Sequence, residues 1–493
     1  MLTKEEIKVF LEADAGSLAK RQARAGEAYY EGRHDILRYR MFYFDDNGNL
    51  VEDTERTNAK IPHRFFTELV DQATQLIMSD KSGFVMSDDP KLQAELDKYF
   101  NSNKRFKVEL SDTITGLQVK GWDYIHTYIG KDDRLCFENA DSLGVVEVEG
   151  RFADDEKDQI IWKYKDRIDK AGKMQFKVLV VDDENTYYYK QEDNGEIVYD
   201  DSVPINPRPH AVYKDADGNL SSKNLGFLPF HRIDYNKKQL SHLHTVKLLI
   251  DDYDMMSCGL SNNIGDFDNP IYVVKGFEGQ SMEELTTNLR TKRRIGVPDE
   301  GNAGLEVHTI AIPYEARKTK IDIDETNIYR FGMGLNLSGM KDTNATTNIA
   351  IKQSYSLLEM RCSKIIDQLE LLLSDLVEIV IAEINEKNGT GYTADQVYID
   401  ISPELMANAG ENADIRLKEA QIRQTDINTL LALAAYMDND LILQQICEVL
   451  DLDYEDIKGK LLDPDEAAAG VNSAGKALDG IDPEGDAGGE VIE

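Results

Sequence analysis

The chain has 493 residues, enough for two to four domains or for one large subunit of an assembly. Its 91 acids against 56 Lys and Arg give a formal net charge of −35, the wrong sign for a protein that adheres broadly to DNA or to an anionic membrane. Apolar residues at 41% and charged residues at 30% fit a folded chain, and the 23 Tyr and 16 Phe spread along it exclude wholesale disorder.

Met1-Leu2-Thr3-Lys4-Glu5-Glu6 carries acids where an export signal needs a basic start and an apolar run. Residues 3–40 read as helical. Thr3-x-x-Glu6 is a capping-box pattern, and Ile7, Phe10 and Leu11 follow at i, i+3, i+4. A hairpin is predicted from Phe42 to Val51 around Asp46-Asn47-Gly48-Asn49. Helices follow from about Pro62 to Met78, Pro90 to Phe100 and Phe106 to Lys120.

From about Trp122 to Tyr213 the period shortens towards two. Strand-like runs lie around Val145, Ile160 to Tyr164, Phe176 to Val181, Tyr187 to Tyr189 and Ile197 to Tyr199, with turn clusters between them. This predicts an antiparallel meander. Pro229 to Ile233 reads as a further strand, and a helix is predicted from Ser241 to about Asn263. Short strands and turns are expected over 264–312, a second helix from Tyr314 to about Phe331, and a polar loop from Gly332 to Asn348.

Ile351, Tyr355, Leu358, Cys362, Ile365, Leu369, Leu372, Leu376 and Ile379 then alternate steps of four and three. The helix that carries this seam, Thr347 to Lys387, would be on the order of 60 Å long at about 1.5 Å per residue. Asn388-Gly389-Thr390-Gly391 stops it. Further helices fit Ala413 to Met437, Asp440 to Leu450 and Tyr454 to Leu461. The last thirty or so residues are rich in Gly, Ala, Asp and Glu, with no aromatic residue and Lys476 as their one base, which reads as a disordered acidic tail.

Catalytic and metal signatures are missing. No Gly-rich loop ends in Lys-Ser or Lys-Thr, and Gly332-Met333-Gly334 lacks the strand-to-helix setting of a phosphate loop. No HExxH or Gly-x-Ser-x-Gly occurs. His242-x-His244 reads as a surface pair, and Asp251-Asp252 as part of a solvated helix face. Asp45-Asp46-Asn47-Gly48 and Asp215-Ala216-Asp217-Gly218 are turns, because neither has the glutamate that closes a calcium loop. Cys136, Cys258, Cys362 and Cys447 lie far apart with no CxxC, so no disulfide framework or zinc ribbon is expected, and a reducing place of synthesis fits. No apolar stretch reaches the roughly 18–20 residues of a membrane span. No catalytic residue, cofactor or metal is therefore assigned. Two basic islands break the acidic background: Arg290-Thr291-Lys292-Arg293-Arg294 and Arg317-Lys318-Thr319-Lys320. Each suits a phosphate backbone or an acidic partner face, or a salt-bridge network with the chain's own carboxylates.

The order of these parts resembles the portal (connector) proteins of tailed bacteriophages, long-tailed siphophage type. The resemblance is carried by Tyr29-Tyr30-Glu31-Gly32-Arg33-His34-Asp35-Ile36-Leu37, by Phe65-Phe66-Thr67-Glu68-Leu69-Val70-Asp71-Gln72, and by Val246-Lys247-Leu248-Leu249-Ile250-Asp251-Asp252-Tyr253-Asp254 with Ser261-Asn262-Asn263-Ile264. The loop around Gly339 and the long helix after Asn348 complete it. It implies an α+β, mainly α, ring-forming subunit with these regions: a wing over 1–240, a stem helix over 241–263, a clip over 264–312, a second stem helix over 313–332, a tunnel loop over 333–348, a long wing helix over 349–388, a helical crown over 389–462 and the acidic tail over 463–493.

The implied function is non-enzymatic. Such a ring, usually of about twelve subunits, sits at the unique capsid vertex of the virion after assembly in the host cytoplasm. It passes double-stranded DNA inward during packaging and outward during ejection, and it docks the terminase and then the head–tail adaptor. Scaffolding and major capsid proteins are further implied partners; a membrane is not. Asn336, Ser338, Lys341 and Asn344 are the expected loop contacts to DNA. Arg290, Lys292, Arg293 and Arg294 in the clip, with Arg317, Lys318 and Lys320 in the stem, are the expected basic contacts to DNA or to a neighbour. The alternative is a structural scaffold or adaptor ring without DNA traffic. A portal also gives the acidity a meaning: twelve times −35, or −420 charges, around a passage for another polyanion leaves few fixed contacts to hold DNA back.

Overall fold

The computed structural model describes residues 2–54, 56–79, 83–130, 133–150, 158–168, 172, 174–214, 220–267, 271–275, 304–308, 314–336, 348–402, 421–430, 432, 439–450 and 454. The chain divides into two compact units, Met1–Leu405 and Met406–Glu493. The first is a mixed α+β unit.

Helix α1 (Lys4–Ala15) opens on the capping box that the sequence signals, with Glu6 N–H donating to Thr3 Oγ1 at 3.2 Å and Thr3 N–H to Glu6 Oε2 at 2.8 Å. The helical stretch is not continuous. It breaks at Gly16-Ser17, where Ser17 Oγ accepts from Lys20 N–H and starts α2 (Leu18–Tyr30). A 3-10 turn at Asp35–Arg38 leads to the hairpin β1 (Phe42–Phe44) and β2 (Leu50–Glu52). All six hairpin positions are exposed, so Phe42, Tyr43, Phe44, Leu50 and Val51 face solvent on both sides of a two-stranded ribbon.

Helix α3 (Phe65–Ile77) begins three residues later than the sequence suggests. Helix α4 (Pro90–Tyr99) is capped by Asp89 with Pro90 at its first turn, and α5 (Lys104–Lys120) is capped by Asn103. Between α3 and α4, β3 (Val85–Met86) pairs with β17 (Tyr398–Ile399).

The β region is two sheets rather than one meander. Strands β4 (Trp122–Ile129) and β5 (Leu135–Ala140) form a hairpin whose third strand is β14 (Phe230–Asp234), in the order β14-β4-β5. The meander proper is β6 (Val145–Val148), β7 (Gln159–Ile168), β8 (Met174–Val181), β9 (Asn185–Gln191) and β10 (Ile197–Tyr199), with β11 (Arg208–Pro209) also on β9. Ile7 of α1 packs on one of its faces with Val146, Ile161, Val178 and Val180. The hairpin of β12 (Ala211–Lys214) and β13 (Leu220–Lys223) precedes β14.

Helix α6 (Leu243–Phe267) runs four residues beyond its expected end at Asn263. Strands β15 (Ile271–Lys275) and β16 (Gly304–His308) pair antiparallel, and α7 (Tyr314–Phe331) follows. Helix α8 (Asn348–Asn388) has 41 residues. Its seam is buried at Leu358, Cys362, Ile365, Leu369, Leu372 and Leu376, and half-buried at Tyr355 and Ile379; the side chain of Ile351 lies outside those described. Leu373, Val377, Val380, Ile381 and Ile384 widen the seam, and together these side chains pack on α3, α4, α5, β5 and β17. That breadth is the mark of a globular core face rather than a coiled-coil seam.

In the second unit, residues 421–430 are helical and α9 spans Asn439–Leu450. Beyond Tyr454, the helix predicted to run to Leu461 lies outside the described residues, as do the ends of the one at Ala413 to Met437 and the acidic tail. Among those described, no helix is long and apolar enough to cross a membrane.

Candidate functional site

Helices α6 and α7 pack along each other, and the second basic island lies on α7. Lys320 is committed there: its Nζ reaches Asp252 on α6 at 2.5 Å and also pairs with Asp324 one turn on. These hydrogen bonds hold the Lys320 ammonium above its ordinary range. Asp252 is thus one half of an interhelical pair rather than an idle acid. Its neighbour Asp251 accepts from Tyr29 Oη and takes Lys247 Nζ at 2.7 Å. Reading Asp251-Asp252 as a solvated face is therefore corrected. Arg317 is half-buried and Lys318 exposed, and neither has an ion-pair partner among the described residues.

The N-terminal motif attaches to the same helix. Tyr29 stacks on His34 with ring centroids 4.4 Å apart. Asp254 of α6 is fully buried, and its two oxygens are shared: His34 Nδ1 lies 2.7 Å from Oδ2, and His63 Nδ1 lies 2.7 Å from Oδ1. His63 N–H also donates to Oδ1, at 2.9 Å. Burial alone would raise the Asp254 carboxyl, but the hydrogen bonds from His34 and His63 outweigh it and hold it below the usual carboxylate range. The other nitrogen of His34 faces the Tyr29 carbonyl at 3.2 Å. Both of its nitrogens therefore have a polar partner. Further down α6, Asn262 Oδ1 accepts from Ala59 N–H at 2.7 Å and Asp266 from Thr57 N–H at 3.0 Å. The segments at 29–37 and 246–254 that set the sequence apart are thus two sides of one joint, to which residues 57–63 also attach.

At the far end of α7 the chain continues through Gly332, Met333, Gly334 and Leu335, of which Met333 alone is not buried. Helix α3 grips it there. Gln72 Nε2 donates to the Leu335 carbonyl at 2.9 Å, and Gln72 Oε1 accepts from Leu335 N–H at 2.8 Å. Tyr329 Oη donates to Glu68 at 2.7 Å. The two glycines allow close approach: a Cβ on Gly332 would lie 2.6 Å from Leu69 Cδ1, and one on Gly334 would lie 2.2 Å from Leu69 Cδ2. This is the physical role of the Gly-x-Gly cluster that resembled a fragment of a phosphate loop. Asn336 is half-buried, and its side-chain nitrogen lies 3.5 Å from Glu325 of α7.

Of the expected contacts, Asn336, Arg317, Lys318 and Lys320 can thus be placed. Ser338, Lys341 and Asn344, and Arg290, Lys292, Arg293 and Arg294, lie outside the described residues. His242 is not half of a surface pair: it is buried, with Nδ1 2.9 Å from Tyr235 Oη and Nε2 2.9 Å from the Gly332 carbonyl. His244 alone is exposed. Sequence reasoning assigned no contact to Glu68, Gln72 or Arg361, whose partners lie far away in the chain. No group of three or more His, Cys, Asp or Glu able to hold a metal ion occurs among the described residues.

The family model described as "Phage portal protein, SPP1 Gp6-like" matches residues 14–453. The chain belongs to this family. The portal protein of Bacillus phage SPP1 is 26% identical over 344 residues, which cover 69% of this chain and 65% of that protein. The match thus spans about two thirds of that relative's length. The portal protein of Clostridium phage phiCD119 is 22% identical over 439 residues, 86% of this chain and 91% of that one. Among solved structures, a chain from the neck of a native GTA particle, computed with C12 symmetry, has a TM-score of 0.36 at 13% identity and covers 78% of this chain and 90% of its own.

Proposed function

We propose that this chain forms the ring at the unique vertex of a phage capsid, through which DNA passes inward during packaging and outward during ejection, and on which a terminase and then a head–tail adaptor dock. The observation that carries this reading is the match to the portal family across residues 14–453. Three features support it. Helices α6 and α7 form a rigid pair tied by Lys320, suited to a stem. The chain leaves α7 from a clamped root made by Gln72 and Glu68, suited to presenting a tunnel loop from a fixed point. The hairpin Phe42–Glu52 exposes apolar side chains on both faces, and such a surface gains from contact with another copy of the chain.

In this reading the role is mechanical, and no catalytic group is assigned. Lys341, with Asn336, Ser338 and Asn344, meets DNA at the loop. Arg290, Lys292, Arg293 and Arg294 meet DNA or a neighbour in the clip. In the stem, Lys318 and Arg317 are the available cations, whereas Lys320 is spent on Asp252 and Asp324. The test is imaging and native mass of the purified protein. Rings of about a dozen subunits with a bore wider than a duplex of roughly 20 Å are expected. A stable monomer under all conditions would overturn the ring. A bore too narrow for DNA would favour an adaptor ring instead.

A further inference from the structure

We propose that Arg361 is a positioning residue that pins the end of α7 to the long helix α8, so that the wing aims the chain as it leaves the stem. Its functional meaning rests on the portal reading above; the pin itself does not.

Arg361 is 1% exposed, yet it is charged and lies in an apolar stripe between Leu358 and Cys362. Nη1 donates to the Leu69 carbonyl of α3 at 2.9 Å and reaches the Gly332 carbonyl at 3.4 Å, and Nη2 donates to Gln118 Oε1 of α5. All three acceptors are neutral. Among the described residues no carboxylate pairs with it. A buried cation without a counter-ion is costly, and a well-packed apolar side chain would fill the same space more cheaply. What the apolar side chain would lose is direction.

Gly332 follows the last residue of α7, where unsatisfied carbonyls carry the negative end of the helix dipole. Arg361 therefore caps one helix from another. A second route reaches the same oxygen. His242 Nε2 lies 2.9 Å from it, and His242 Nδ1 lies 2.9 Å from Tyr235 Oη. Arg361 Nε itself is buried with no hydrogen-bond partner among the described residues. A carbonyl only accepts, so His242 Nε2 donates to Gly332 and, in a neutral ring, Nδ1 accepts from Tyr235, while Arg361 also donates to Gly332 directly. Burial and the neighbouring Arg361 hold the His242 imidazolium well below its ordinary range, in keeping with a neutral ring that donates from Nε2. The Gly332 carbonyl thus meets both the His242 imidazole and the Arg361 guanidinium, and Arg361 is the member that carries α8.

Hydrogen exchange read by mass spectrometry on the full chain tests the pin. The amides of Gly332, Gly334 and Leu335 are held by Ile328 O, Tyr329 O and Gln72 Oε1 at 2.8, 2.9 and 2.8 Å. Arg361→Met is expected to speed their exchange about tenfold or more while the amides of β7 to β9 stay unchanged. Tyr235→Phe removes one oxygen and keeps the shape, and it is expected to speed the same amides about fivefold. A uniform rise across the unit in both variants, or no rise at 332–335, would overturn the proposal. If Arg361→Met fails to fold, Arg361→Lys, which keeps the charge and loses the fork that reaches several acceptors at once, decides by the same two criteria. Neither result depends on ring formation, so loss of the pin and loss of the portal reading are told apart.

Discussion

The side-chain amide of Gln72 faces the backbone of Leu335 as one strand faces another, giving an N–H to the carbonyl at 2.9 Å and taking the N–H at 2.8 Å. Leu335 is buried, and neither of its backbone groups has another partner among the described residues. Gln72→Leu keeps the volume and orphans both. The expected cost is about 1–3 kcal/mol, read as a lower midpoint in denaturant unfolding with an unchanged slope. A variant as stable as the parent would show that the root of the loop is satisfied in some other way.

Asp254 is lowered from its ordinary value, so it contributes stability above its unfolded value of about 3.9 and loses that contribution as pH falls through the lower folded value. Asp254→Asn removes the charge between His34 and His63. It is expected to cost about 1–3 kcal/mol at neutral pH, as weakening buried hydrogen bonds to a carboxylate does. The variant's stability should also fall less steeply below pH 4 than the parent's. Unfolding curves from pH 2 to 7 check both, and parallel pH profiles would count against a charged Asp254.

Phe44 is 73% exposed, so Phe44→Asp should leave subunit stability within about 0.5 kcal/mol. Ring assembly is expected to suffer. Native mass should shift from rings towards monomers or short oligomers at the same protein concentration. Unchanged rings would free the hairpin of any role between copies.

The two stem lysines should behave differently. Lys320→Ala breaks a half-exposed pair and should cost about 1 kcal/mol or less, with no loss of DNA retention in a packaging assay. Lys318→Glu should leave thermal stability unchanged and lower retention. The reverse pattern would mean that Lys320, despite Asp252 and Asp324, is the cation that meets DNA.

Local signals were legible wherever chemistry and partner lie within a few residues. The Thr3/Glu6 box, the hairpin at Asp46-Asn47-Gly48, Pro90 after its Asp89 cap and the seam from Leu358 to Leu376 all formed as the spacing implies. The failures are non-local. Nothing near Trp122 announces that its strand pairs with residues 230–234. His242 looks like half of a surface pair because its partners, Tyr235 and Gly332, come from different elements. Arg361 did leave a trace. It stands three residues after Leu358 and four before Ile365, inside the apolar stripe, where a cation must either snorkel outward or find buried acceptors. Of the joint around Asp254, the sequence showed both halves, at 29–37 and at 246–254, without showing that they touch.

The sheet order β14-β4-β5 has a consequence for how the chain is made. Strand β4 meets β5 soon after both leave the ribosome, but its other edge waits for residues 230–234. At roughly 5–20 residues per second, that delay is on the order of ten seconds. Throughout it the nascent chain exposes an open strand edge while the meander strands emerge beside it, each a competitor for that edge. Synthesis rate and temperature, rather than the stability of the finished subunit, are then the variables that decide how much of this chain is recovered correctly paired.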